Sequence, residues 1–310
     1  MALVLNDTTY AGEAASGFVV KALTGADTVK GGHIYMKDNV VKKFTIPSLK
    51  VANLIQDRTA TPTSQGTMTV DGRALTPADF MLYHEFNPRD FEEHWIAAQM
   101  NDALIDRRLP VSAESQIIQE HLKFVASFFD TIIWQGDTSL TSNLKYFDGL
   151  IKKLTASSDT NDVASPFTIS EDNVIDALED CHQLIPKALL FDPGMKYHVS
   201  YATAEFYRRA QQDQQYKGVD ITSGGVMSYN GKRIVPLAGC PDNTIVLAKS
   251  GPSMDSQLWM GLDSTMTSEG EASSIKFSPL QANSELWFIK MLFKMDVQIG
   301  LPEEVVMFKL

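Results

Sequence analysis

The side chains best suited to chemistry are six histidines (His33, His84, His94, His121, His182 and His198) and two cysteines (Cys181 and Cys240). Metal sites draw such residues at short fixed spacings, so that two ligands reach one ion from a single turn. None of the eight stands at that spacing: the chain has no HExxH, no CxxC and no Cys2His2 pattern. Cys181 beside His182 offers a thiol and a base, but consecutive residues on a helix point to different faces. Packing or surface roles are the expectation for both. Ser223-Gly224-Gly225 lacks the GxSxG frame of a nucleophile elbow and is read as a tight turn. No Walker loop or dinucleotide fingerprint occurs. Carboxylates abound over residues 79–137, yet nothing in the order of residues pairs two of them, and they are read as solvated helix faces. The expectation is no catalytic residue, no metal ligand and no cofactor.

Composition narrows the class. The chain has 310 residues, of which 44% are apolar and 21% charged, enough to bury one large core or two modest ones. Apolar runs are short and broken by charge, so no membrane span is expected. The opening MALVLNDTTYAGEAASG has no basic leader, and Ala2–Leu5 is shorter than the core of about 7 residues that a signal peptide needs. A cytoplasmic site of synthesis is the expectation. One cysteine pair is no disulfide framework. A formal net charge of -11 argues against a protein that grips nucleic acid by releasing counterions, though not against one that encloses it.

The elements that would position any site are uneven. Residues 1–40 read as an arm, with a weak helix over Thr8–Leu23. Residues 42–75, KKFTIPSLKVANLIQDRTATPTSQGTMTVDGRAL, read as a long two-stranded ribbon with strands at Phe44–Ile46 and Thr67–Val70. Pro47, Pro62, Gly66 and Gly72 mark its bends. It carries Lys42, Lys43, Lys50, Arg58 and Arg73 against Asp57 and Asp71. A ribbon with so few core residues is marginal alone and needs a partner surface. Those five cations are the candidate contacts between subunits. Residues 79–137 hold eleven acids and four bases, a charge of opposite sign that suits a steered contact between copies.

A strand at Phe80–Phe86 and a short helix at Pro88–Met100 precede the strongest helical signal, which begins at the N-cap candidate Ser112. Its stripe runs through Ile117, Ile118, Leu122, Phe124, Val125, Phe128, Phe129, Ile132 and Ile133, and Gly136 stops it. Trp134, Phe147 and Leu150 are expected in the core, with Gly136 and Gly149 at turns or caps. A helix from Ser170 or Asp172 to Leu184 opens an α/β insert with strands at Tyr197–Tyr201, Lys232–Pro236 and Thr244–Ala248 and a helix at Thr203–Gln212. The chain finishes on a strand whose one face is Ile289, Met291, Phe293, Met295, Val297 and Ile299, followed by a short strand at Val305–Phe308.

In this order, with IIWQGD after the long helix and FDGL just beyond it, the chain resembles the major capsid proteins of tailed bacteriophages, whose fold encapsulins and the herpesvirus capsid floor share. The resemblance implies an α+β capsid fold. Its parts are an N-terminal arm (1–40), an extended β-hairpin loop (41–76), a peripheral domain (77–170) with spine helix 112–135, an axial α/β domain (171–265) and C-terminal strands returning to the peripheral domain (266–310). It further implies self-assembly into hexamers and pentamers of an icosahedral shell that encloses double-stranded DNA without sequence-specific binding. The shell would be built in a host cytoplasm and reside in the virion. Only about forty residues precede the hairpin, so scaffolding would come from a separate protein or be unnecessary; portal and decoration proteins are further partners that the resemblance implies. Lys50 is available for the subunit-welding bond of some relatives, but no Asn partner is identifiable and no crosslink is expected. Two rival readings are an encapsulin-type shell around protein cargo and a soluble α/β enzyme with an unrecognised site.

Overall fold

The structure is a computed structural model that describes residues 8–10, 26–52, 55–58, 60–61, 63–87, 111–213, 226–263, 275–281 and 286–310. Its elements run β1 (Thr8–Tyr10), α1 (Asp27–Lys30), β2 (Tyr35–Lys37), β3 (Phe44–Ala52), β4 (Thr67–Leu75), β5 (Ala78–Phe86), α2 (Val111–Gln135), α3 (Leu150–Thr155), β6 (Asn161–Asp162), α4 (Val174–Gln183), β7 (Met195–Ser200), α5 (Tyr201–Asp213), β8 (Ser228–Tyr229), β9 (Lys232–Leu237), β10 (Thr244–Lys249), β11 (Leu258–Leu262), β12 (Ile275–Pro279), β13 (Trp287–Ile299) and β14 (Val306–Lys309).

Strict alternation makes β13 the hub of the first sheet. Ile289, Met291, Phe293, Met295, Val297 and Ile299 are all buried, as a period of two with one core-facing side requires. β13 pairs antiparallel with β5, with β12 and with β11, while β11 adds β2 in parallel and β12 adds β1. The buried face receives the spine helix α2 through Ile117, Ile118, Leu122, Val125, Phe129, Ile132 and Ile133. Phe129 meets Phe293 edge-on, with ring centroids 5.0 Å apart. Phe124 departs from the expected stripe. It stands one position off the buried series and is largely exposed.

The second sheet has the order β6-β14-β10-β7-β9-β8. It is buried on both faces, which is why Ile245, Val246, Leu247 and Ala248 form a continuous apolar run instead of an alternation. Val235, Val246, Ala248 and Met307 join the core around α2 and β13. Ile234, Ile245, Leu247, Val306 and Phe308 face the other way, against residues of α4 and α5.

Several expectations need correction. Thr8–Tyr10 is a strand paired with β12, not the start of a helix; the remainder of that expected helix, the short helix at Pro88–Met100 and the turn at Ser223–Gly225 lie outside the described residues. Residues 26–40 are built into the body: Ala26, Thr28, Ile34 and Val40 are buried, and β2 is a sheet member. Ser112 is the second residue of α2, inside the helix. The last strand, β14, pairs with β10 and β6 in the second sheet and does not follow β13 into the first.

The strings after the spine helix close a tight corner. Gly149 donates its N–H to the Gly136 carbonyl at 2.8 Å, and Asp137 donates its own to Leu144. A Cβ on Gly136 would lie 2.5 Å from the Phe147 carbonyl, and one on Gly149 would lie 2.6 Å from the Gly136 nitrogen. Only glycine fits at either place. Trp134, Phe147 and Leu150 are buried around it.

Candidate assembly surface

β3 and β4 pair with each other in a separate two-stranded sheet, from Phe44 opposite Leu75 to Ala52 opposite Thr67. Each strand is nine residues, longer than the threonine-rich sequence suggests, because Pro47 sits opposite Gly72 in a ribbon with no further neighbour to demand its missing N–H. The base is well anchored. Ile46, Leu75 and Trp259 form a small core, with Tyr35 edge-on to Trp259 and Phe44 stacked on it. Thr76 donates its N–H to Asp296 at 2.9 Å, and Gln298 donates to the Ala74 carbonyl.

Directly opposed residues share a face, so the register splits the ribbon into two unlike sides. On one side the buried base gives way to Ser48 opposite Asp71 and Lys50 opposite Thr69. On the other, Leu49 stands opposite Val70 and Val51 opposite Met68. Those four apolar side chains are 57%, 73%, 48% and 65% exposed in that order, and Ile55 near the tip is 97% exposed. Scattered surface hydrophobics are ordinary, but two opposed pairs in one strip, on a ribbon with no third strand, form a patch. Covering such side chains contributes on the order of 1 to 3 kcal/mol each before the cost of association.

The five cationic candidates do not converge. Lys50 Nζ lies 2.7 Å from Glu303 of the same subunit, and this hydrogen bond holds the lysine above its usual range. Arg73 donates to Ser157 Oγ at 3.1 Å. Lys42 and Lys43 are exposed near the base and Arg58 near the tip. The structure therefore commits Lys50 and Arg73 to their own chain and leaves three cations outward. Leu49, Val51, Met68 and Val70 were not anticipated from the residues. The available signal was the apolar recurrence at every second position, 49 and 51, then 68 and 70.

The helix 111–135 is not simply a solvated acidic face. Asp130 is buried, accepting from the backbone N–H of Thr28 at 2.9 Å and of Gly239 at 2.6 Å. A cleft of about 480 Å³ beside it is lined by Ala26, Asp27, Leu122, Ala126 and Asp130. Cys181 and Cys240 are buried free thiols, and burial pushes both well above the ordinary cysteine range. Among the described residues no three His, Cys, Asp or Glu side chains gather as a metal cluster, and no helix is long and apolar enough to cross a membrane.

No family model and no curated protein matches the sequence. Solved structures do match the fold. A chain of the satellite phage P4 procapsid that includes the size determination (Sid) protein is similar over 98% of this chain and 93% of its own, at 10% identity and a TM-score of 0.64. A structure of Mycobacterium phage Che8 covers 99% and 93% at 14% identity with a TM-score of 0.54. The holo-SrpI encapsulin complex from Synechococcus elongatus PCC 7942 covers 89% and 84% at 10% identity with a TM-score of 0.50. Spine helix, two sheets and outstretched hairpin together give this chain the α+β fold of tailed-phage capsid proteins and encapsulins.

Proposed function

We propose that this chain is a major capsid protein, a non-catalytic building block whose copies form hexamers and pentamers of an icosahedral shell around double-stranded phage DNA. The observation that carries the proposal is the apolar strip Leu49, Val51, Met68 and Val70, left exposed on one side of a ribbon whose other side is tied to its own subunit by the buried base and by Lys50 to Glu303. Among the described residues nothing covers that strip, whereas a neighbouring copy would. Closed symmetry then multiplies modest contacts into a stable particle. The assignments of arm, hairpin, peripheral domain and axial domain made from the sequence belong to this proposal, with β2 and β11 counted to the first sheet and β14 to the second. So do Lys42, Lys43 and Arg58 as contacts to the acidic helical block of a neighbour. Separate scaffolding, portal or decoration proteins would complete the virion. The net charge of -11 suits a wall that encloses DNA without gripping it.

The similarity to an encapsulin supports a second reading, a shell around protein cargo. Negative-stain microscopy of the purified chain, followed by assay of particle contents, tests both. Uniform shells containing DNA support the capsid; shells containing protein alone support the encapsulin; a discrete small oligomer removes both.

A further inference from the structure

We propose that His84 and His121 form a two-imidazole site for a divalent transition-metal ion of the zinc type, joining the edge strand β5 to the spine helix α2. The two rings come from different rigid elements. His84 shares the face of β5 that carries Leu82 and Phe80, and its β13 neighbour is the buried Ile289. His121 lies on α2, between the buried residues Ile118 and Leu122 and the exposed Phe124. His84 Nδ1 and His121 Nε2 are 3.1 Å apart, and the ring centroids 5.3 Å. Leu82, Tyr83, Glu120 and Phe124 line the same groove.

One hydrogen bond fixes the chemistry of the pair. His121 Nδ1 stands 2.8 Å from the Ile117 carbonyl, which can only accept, so this nitrogen carries the proton and Nε2 presents a lone pair. Metal-bound histidines are oriented in the same way, with the second ring nitrogen donating to a carbonyl. Between the rings there is then a single proton, on His84 Nδ1. Two imidazole nitrogens bound at about 2.0 to 2.1 Å in tetrahedral geometry are separated by about 3.3 Å, so the pair needs to open by a few tenths of an ångström and both rings to turn until their lone pairs meet at the ion. The ion takes the place of the shared proton, which leaves Nδ1 while Nε2 of His84 takes one up, with no net proton released. Water fills the remaining positions. Glu120, which lines the same groove, is ion-paired with the exposed Lys123 at 2.6 Å.

Equilibrium dialysis of the full-length chain against Zn²⁺ at pH 7.5 tests this, together with thermal melts. Wild type is expected to bind one ion per chain and to melt at a higher temperature with Zn²⁺ present. His84→Ala and His121→Ala should each weaken binding by about ten-fold or more and abolish the shift. His182→Ala, on α4, should retain both. Circular dichroism on each variant separates lost binding from lost fold, and a misfolded Ala variant is replaced by His121→Gln with the same expected loss. Stoichiometric binding that survives in both pair variants, or no binding by wild type, overturns the proposal.

Discussion

Asp130 ties three parts of the chain together from inside the spine helix. Its carboxylate takes the N–H groups of Thr28 and Gly239, and one turn later Trp134 donates to Thr28 Oγ1 at 2.8 Å while Gln135 donates to the Gly239 carbonyl. Asp130→Ala would leave two buried donors unpaired, and a loss of about 2 to 5 kcal/mol is expected in urea denaturation. A Cβ on Gly239 would fall 2.0 Å from the Asp130 carbonyl oxygen, so Gly239→Ala should destabilise comparably. His198 supplies a pH dependence. It is fully buried, hydrogen-bonded to Val246 O and Ser250 Oγ, and burial lowers its pKa from the usual 6.5 to about 3. Burial likewise lowers the neighbouring His33 to about 4. A folded-state pKa below the unfolded one means that the unfolded chain binds the extra proton. The contribution is therefore complete above pH 6.5 and is lost as pH falls from there towards about 3, at roughly 1.4 kcal/mol per pH unit for one imidazole. Denaturation midpoints at pH 7, 5.5 and 4.5 should fall accordingly, and His198→Phe should flatten the slope. Neither role is legible in the residue order. An acid on a helix and a histidine in a strand look alike whether solvated or buried, until the partner chain segments 102 or 48 residues away are in place.

The hairpin is where local sequence says most about structure and least about energetics. Threonines, prolines and glycines mark a ribbon without a core, and its existence follows from them. Its faces do not, because they depend on a register that pairs Leu49 with Val70 rather than with a residue one step away, and one step would exchange the two sides. Charge is therefore legible in the residue order without a register, and the apolar strip between the lysines and arginines is not. Substitutions should separate the two halves of the ribbon. Ile46→Ala, at the buried base, should cost the subunit about 2 to 4 kcal/mol. Leu49→Lys with Val70→Glu, an opposed pair of unlike charge, should leave subunit stability within about 0.5 kcal/mol and prevent particle formation, since the loss falls on contacts between copies. Lys50→Ala removes an ion pair between two solvent-exposed side chains and should change little in either assay. Analytical ultracentrifugation and urea titration read the two quantities independently. By contrast β13 was fully legible: a period of two over Ile289–Ile299, with one side buried, leaves a single way to lay it on a core.

At the scale of the whole molecule, the spine helix and two sheets make a self-sufficient body, and the ribbon is the part that cannot satisfy itself. The body was largely readable because α2, β7, β10 and β13 each carry long, strongly periodic or continuous apolar runs. The exchange of strands between sheets was not, since β11 and β14 are short and apolar on both sides, and only the finished topology assigns β11 to the first sheet and β14 to the second. If the ribbon exists to lie across a sister molecule, removing it should abolish assembly and spare the fold. The most direct measurement is negative-stain microscopy with circular dichroism on the wild-type chain and on a chain whose residues 48–71, which include the whole apolar strip, are replaced by two glycines. The expected result is shells from the first and folded, soluble, unassembled subunits from the second. Shells from both, or an unfolded chain from the second, would contradict the central claim.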